Sequence, residues 1–549
     1  MNFLYRLPAM TLVASCVLSV PSCVAAQSGP IVKAPAGQVE GQTVGDLHVF
    51  KGIPYALPPV GSARWKPPSA MPPFHGVRKA VDFGPACFQP RPVASGIYSG
   101  APVPLSEDCL SLNIWTPSKV RKAPVLFWIY GGALTSGSSR DPLYDGVRLA
   151  DRGIVVVSIN YRLGVFGWLA HPELSRESSL GVSGNYGLLD QILALQWVQR
   201  NIAAFGGDPS NVTIAGESAG GLSVMYLMAA PAARGLFAKA VAESAYMIST
   251  PELKKSAFGA PSAEDSGVKL ATALHANNIE ELRSMDAAKL SSMAPMAGFA
   301  PFGAVDGKVL PRQLVDVFDK GEQAPVPLLA GFNSGEIRSL TVLAPKPPES
   351  AIQYENTIYS QYLDLAKEFL RLYPSDNMQE SIYATTRDAL YGWTAQRLVR
   401  KQTALGQPAF LYFFDHGYPT EEELGLHGFH ASELPFVFGT FEGTPPRWPK
   451  VPETPAERSF SDAMISYWTS FARTGQPKAT NQPDWPAFGT TGSYMDFKEV
   501  PQPGDHLLPG MYELNEQVMC RRRADGGFGW SWNVGLWSPK LPAKQAQCN

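Results

Sequence analysis

The chain reads as an α/β protein with a large, mostly parallel central sheet flanked by helices, and three observations predict it. Short apolar runs at 125–129, 154–159, 212–215, 240–242, 326–330 and 410–414 have the length and the β-branched or aromatic content of buried strands. Between the second and third runs, the Leu, Ile, Trp and Val positions of 188–205 recur at helical spacing, so strand, helix and strand follow in the order of a parallel crossover. The run 212–215 then leads without a break into Gly216-Glu217-Ser218-Ala219-Gly220, the pattern of a sharp strand-to-helix turn.

In chain order, 1–26 reads as an export leader. Arg6 supplies the positive flank, 7–20 the apolar stretch, and Val24-Ala25-Ala26 the small residues before a cut after Ala26. Pro8 and Pro21 interrupt a stretch already short for a bilayer span, which argues against a membrane anchor. The small residues before Cys16 and Cys23 also resemble a bacterial lipoprotein signal, the second form that export would take. The expected destination is secreted or periplasmic. Losing the leader leaves Cys87, Cys109, Cys520 and Cys548, an even set suited to an oxidising compartment. Four cysteines permit three pairings, and proximity favours Cys87 with Cys109 and Cys520 with Cys548.

The remainder, 27–549, is expected to form a single domain, since no repeat, heptad or long low-complexity run divides it. The stretch 339–407 reads mostly helical, with Leu365, Phe369 and Leu372 on one face and Pro374 breaking the pattern. It is expected as an insertion above the sheet, part of a cap over a pocket. Trp530, Trp532 and Trp537 are read as packing residues. A 45% hydrophobic content suits a large core, and a formal net charge of -2 recommends neither nucleic acid nor an anionic membrane as partner. No CxxC or His-rich spacing suggests a metal, and no cofactor is expected. Oligomeric state has no readable signature.

The strongest chemical signal is Ser218. A tight turn between strand and helix strains the serine backbone and pushes its hydroxyl into a pocket, while glycines on either side avoid collision with neighbouring backbone. The following helix points its N-terminus at the same place, so the Ala219 N–H is an expected oxyanion donor. Tyr130-Gly131-Gly132-Ala133 follows the strand 125–129, and the N–H groups of Gly132 and Ala133 are the other two expected donors. A serine hydroxyl is a poor nucleophile until a base takes its proton, so a base and its orienting acid must come from elsewhere in the chain.

Taken with these signals, several motifs resemble the type-B carboxylesterase and cholinesterase-like family of α/β-hydrolases. They are Phe50-Lys51-Gly52-Ile53-Pro54-Tyr55-Ala56, Ser106-Glu107-Asp108-Cys109-Leu110, Asn113-Ile114, Asn185-Tyr186-Gly187-Leu188-Leu189-Asp190-Gln191 and Phe205-Gly206-Gly207-Asp208-Pro209, leading into Gly216-Glu217-Ser218-Ala219-Gly220-Gly221. The resemblance covers nearly the whole mature chain. It implies the α/β-hydrolase fold and hydrolysis of a small-molecule carboxylic ester through an acyl-enzyme.

It also implies a glutamate as the acid, and Gly331-Phe332-Asn333-Ser334-Gly335-Glu336 matches that pattern, with Ile337 where the family usually has Gly. The base is expected three residues before a glutamate that opens an apolar run ending in Phe-Gly. His430-Ala431-Ser432-Glu433-Leu434-Pro435-Phe436-Val437-Phe438-Gly439 fits, whereas His427 and His416 are read as structural. The order Ser, Glu, His along the chain is that of the hydrolase fold. By position, Glu217 corresponds to a buried carboxylate near the base and Ser244 to a serine that supports the triad through hydrogen bonds. Cys87 with Cys109, and an Arg64 to Glu107 ion pair, follow from the same comparison. Asn211-Val212-Thr213 matches a glycosylation sequon, but it runs straight into the nucleophile's strand and is read as chance.

Two alternatives accompany this reading: a catalytically inactive adhesion-type homologue, and a lipase for long-chain esters. The first typically loses a triad position, and here each is filled. Substrate choice is set by pocket residues such as Leu134, where the family often has Phe; one methylene of space is worth only about 1 to 3 kcal/mol, so chain-length preference does not follow from it.

Overall fold

A computed structural model describes residues 29–90, 96–531 and 534–548. The expected leader and Trp532 lie outside the described residues. Eleven strands form one sheet among them. In chain order these are β1 (Gln42–Val44), β2 (Leu47–Pro54), β3 (Ser111–Pro117), β4 (Ala123–Ile129), β5 (Val155–Ile159), β6 (Gly207–Glu217), β7 (Lys239–Glu243), β8 (Leu328–Asn333), β9 (Ala409–Phe414), β10 (Ser493–Phe497) and β11 (Pro501–Asp505). Their spatial order is β11-β10-β9-β8-β7-β6-β4-β5-β3-β2-β1. From β5 through β4, β6, β7, β8 and β9 to β10 each neighbouring pair is parallel; the outer pairs are antiparallel.

The inner strands are buried on both faces, and for that reason they read as unbroken apolar runs rather than alternating ones. Along β4 the side chains still alternate between two cores. Val125, Phe127 and Ile129 pack with Leu188 and Leu195 of helix α1 (Tyr186–Asn201) and Leu222 of α2 (Ala219–Ala229). Leu126 and Trp128 face the other way, into a cluster with Phe460, Met464 and Trp468 of a long helix, Pro455–Thr474. Each position of α2 is buried, as expected of a helix that is apolar all round. The edge strand β11, PQPGD, is mostly exposed, and its two prolines remove donors that would recruit another strand.

The stretch 339–407 is mostly helical, as its sequence predicts, and its last helix belongs to the sheet. It holds α3 (Ala351–Tyr362), α4 (Ala366–Leu372), α5 (Met378–Arg387), a π-helical turn Asp388–Gly392 and α6 (Trp393–Ala404). Its last helix packs directly on β8 and β9, burying Trp393, Leu398 and Val399 in the same cluster as Leu328, Ala330 and Leu411. Two adjacent parallel strands need a connection that carries the chain back to the starting end, and α6 is part of that crossover rather than a cap.

Cys87 pairs with Cys109 and Cys520 with Cys548. Inside the first loop's closure, Arg64 grips Glu107 with two bonds of 2.6 Å. Trp530 is fully buried, whereas Trp537 is half-exposed and does not pack as expected. The Asn211 side chain is occupied by bonds to the Arg473 carbonyl and Lys239. No helix among the described residues is long and apolar enough to cross a membrane.

Candidate active site

The sheet register brings the candidate residues to one edge. Gly216 pairs with Ile129 of β4 on one side and Ala242 of β7 on the other; Glu217 pairs with Glu243, and Glu243 with Gly331 of β8. The chain therefore leaves β4, β6, β7 and β8 at a common level. β4 sends the chain to β5 on one flank, while β6 lies on its other flank and leads on to β7 and β8. Loops after β4 and β6 diverge at this switch, where open α/β sheets form their binding crevice.

Ser218 follows β6 directly with φ 56° and ψ -119°, a strained conformation held by its N–H bond to the Glu243 carbonyl, 2.9 Å, and by the buried helix α2 behind it. Close approach makes Gly220 obligatory, because a Cβ there would lie 2.0 Å from the Ile129 carbonyl oxygen. Ser218 Oγ lies 2.9 Å from His430 Nε2, and His430 Nδ1 lies 2.5 Å from Glu336 Oε2. The other Glu336 oxygen accepts the Asn333 N–H at 2.9 Å. Glu336 is fully buried, and Ser218 and His430 are almost so. The structure thus brings the three sequence-predicted residues together in series, across separations of 212 and 94 positions.

On the opposite side of the serine, the loop after β4 passes through Gly132, Ala133 and Leu134, all with positive φ. The N–H groups of Gly132, Ala133 and Ala219 donate to no acceptor among the described residues, leaving three backbone donors around the serine turn unclaimed. Leu134 is buried, at 1% exposure, in the same core cluster as Ile129.

Carboxylates dominate the electrostatics. Glu217 Oε1 sits 3.1 Å from His430 Nε2 but makes no aligned hydrogen bond, so the contact is electrostatic. Burial alone would depress the His430 pKa, yet Glu217 and Glu336 outweigh it and lift the imidazole to about 9. Burial lifts Glu217 to about 7, with His430 opposing and Glu336 adding to the rise. Behind them, Glu243 is pushed up by burial to about 8 and accepts the Trp468 indole N–H at 2.6 Å. Glu433 is also raised by burial and accepts from Asn333. Ser244 lies buried at the end of β7, where its N–H bonds to the Gly331 carbonyl at 2.9 Å; its hydroxyl meets no hydrogen-bond partner among the described residues.

Residues 28–513 match the model of the carboxylesterase family. The chain belongs to that family. Among relatives of this carboxylesterase, a fumonisin B1 esterase of Sphingopyxis macrogoltabida is 35% identical over 86% of this chain and 87% of its own length. A para-nitrobenzyl esterase of Bacillus subtilis is 36% identical over 83% and 92%. A solved PNB esterase superposes with a TM-score of 0.76 at 33% identity, covering 88% of this chain and 99% of its own. The carboxylesterase is a carboxylic ester hydrolase on the α/β-hydrolase fold.

Sequence reasoning missed Tyr98. From the Cys87–Cys109 loop, its hydroxyl donates to the His430 carbonyl oxygen at 2.8 Å and lies 2.6 Å from Ser339 Oγ, while its ring packs against Phe429 and Trp448. A lone aromatic in a loop carries no local pattern. Tyr391 was missed too: it comes from the π-helical turn, and its ring centroid lies 5.2 Å from that of His430. An irregular turn of this kind leaves no periodicity to read.

Proposed function

We propose that this carboxylesterase is exported and works through an acyl-enzyme on Ser218, with His430 as general base and acid and Glu336 as the orienting acid. The observation that carries the reading is the continuous series from Ser218 Oγ through both ring nitrogens of His430 to Glu336. His430 takes the serine proton as the oxygen attacks the ester carbonyl, and the buried carboxylates stabilise the imidazolium that forms. The free N–H groups of Gly132, Ala133 and Ala219 receive the oxyanion. Collapse expels the alcohol, protonated by His430, and a water activated by the same ring then releases the carboxylic acid.

Support for export is the leader pattern at 1–26 together with two disulfides, which persist in an oxidising compartment and not in a reducing cytosol. The substrate is a small-molecule ester. Fumonisin B1 and para-nitrobenzyl esters, named by two relatives, join p-nitrophenyl esters of varied acyl length in the panel that defines its class. Ser218→Ala lowers kcat on p-nitrophenyl acetate by roughly 10⁴-fold or more while leaving thermal unfolding unchanged. Full activity in that variant would overturn the assignment.

A further inference from the structure

His427 stands three residues before His430 and looks, in sequence, like a spare histidine. Its surroundings say otherwise. The backbone at His427 has φ 44°, a left-handed conformation that a histidine adopts at a cost. Its Nε2 lies 2.9 Å from Asp415 Oδ1, just beyond the end of β9, and its Nδ1 lies 2.6 Å from Glu422 Oε1. Asp415 is also paired with Lys498 at 3.2 Å, and its N–H bonds to the Phe497 carbonyl, so the anchor belongs to the β9–β10 edge of the sheet.

The segment that follows is stitched to the chain carrying the catalytic acid. Gly335 N–H donates to the Gly428 carbonyl at 2.9 Å, and Asn333 Nδ2 to the Phe429 carbonyl at 2.8 Å. The Phe429 N–H donates to the buried Glu421 at 3.1 Å. Space around the turn is fully used. A Cβ on Gly335 would lie 2.0 Å from the His427 carbonyl oxygen, and one on Gly417 would lie 1.9 Å from Glu422 Oε1 and 3.3 Å from His427 Nδ1. The loops bearing Glu336 and His430 therefore move as one piece, and the His427 side chain fastens that piece to the sheet.

We propose that His427 is a positioning residue for the hydrolytic reaction: clamped between Asp415 and Glu422, it fixes the height of the 427–430 turn so that the His430 ring spans Ser218 and Glu336. The proposal rests on reading His430 as the base. The bond to Asp415, chiefly, and the bond to Glu422 outweigh partial burial and raise the His427 pKa to about 9, so the ring is a cation facing two carboxylates at neutral pH. A cation held on both nitrogens has one orientation, and a reacting histidine displaced by an ångström loses rate far more than affinity.

His427→Asn tests this, because Asn tolerates positive φ but cannot span both carboxylates. The expected result is a fall in kcat on p-nitrophenyl acetate of about tenfold to a hundredfold, with KM within about twofold of wild type. Glu422→Gln, at a half-exposed carboxylate, should lower kcat in the same direction by a smaller factor and add little when combined with His427→Asn. Should His427→Asn fail to fold, Glu422→Gln alone decides by the same kcat-against-KM split. An unchanged kcat, or kcat and melting temperature falling together with KM rising, would overturn the proposal. His430→Ala keeps the two readings apart: if it stays inactive while His427→Asn is fully active, only the positioning role fails.

Discussion

His430 lies between two carboxylates, and that placement governs how its protonation tracks pH. As the proposed general base, His430 must be neutral to accept the serine proton, so kcat/KM is expected to rise as pH rises through the His430 pKa, which Glu217 and Glu336 hold near 9. Glu217→Gln removes one of the charges that favour the imidazolium. The rising limb of the kcat/KM profile then moves to lower pH, while the plateau falls because the transition-state cation loses a partner 3.1 Å away. A limb that stays in place would show that Glu217 does not act on the ring. At this scale the sequence was unevenly legible. Ser218 announces itself because strand, turn and helix are contiguous. Glu336 and His430 needed the family resemblance, since a contact closed over 94 positions leaves no local spacing.

Among the elements, the turn at Ser218 is tightly constrained. Strand β6, Ser218 and helix α2 hold one another in place: the strand is buried from Val212 to Glu217, the helix on each face, and the turn has no room for a side chain at Gly220. Gly220→Ala forces the turn away from the Ile129 carbonyl, and overpacking of this sort costs about 1 to 3 kcal/mol or more. Chemical denaturation should show that loss, with hydrolysis lost as well because Ser218 and the Ala219 N–H shift together; wild-type stability and rate would contradict the packing argument. Strands β4 to β9 are readable from their apolar runs, whereas β10 and the antiparallel strands are not: β10 is SYMDF with alternating burial, β11 is PQPGD, and polar, proline-bearing edges resemble loops. Where α6 docks is not legible in 339–407, because an amphipathic pattern shows that a face is covered and not which surface covers it.

Across the whole molecule, the switch between β4 and β6 decides where chemistry sits, and the loops beyond the sheet edge are secured to the core by covalent and ionic ties. The Cys87–Cys109 bridge closes a separation of 22 residues, and that loop carries Tyr98 onto the backbone of His430. Replacing both cysteines with serine should lower stability by about 3 kcal/mol through the freed unfolded chain, and should lower kcat because Tyr98 is no longer held. Thermal unfolding and steady-state kinetics on the double variant measure the two effects; an unaltered kcat would limit the loop to a stabilising role. Inside the fold, Asp190 is wholly buried and gripped by Arg162 through bonds of 2.7 and 2.8 Å, so Asp190→Asn leaves a buried cation without its partner. That change should destabilise by about 3 to 5 kcal/mol in denaturant titration; a loss below 1 kcal/mol would mean water reaches the pair.

The proposed chemistry requires that one hydroxyl, armed by one imidazole, form the covalent intermediate. Its most direct measurement is the site and rate of fluorophosphonate labelling, followed by peptide mass mapping on wild type and on His430→Ala. A single adduct on Ser218 is expected, formed at least about a thousandfold more slowly without His430. An adduct on a different serine, or an undiminished rate in the His430 variant, would contradict it.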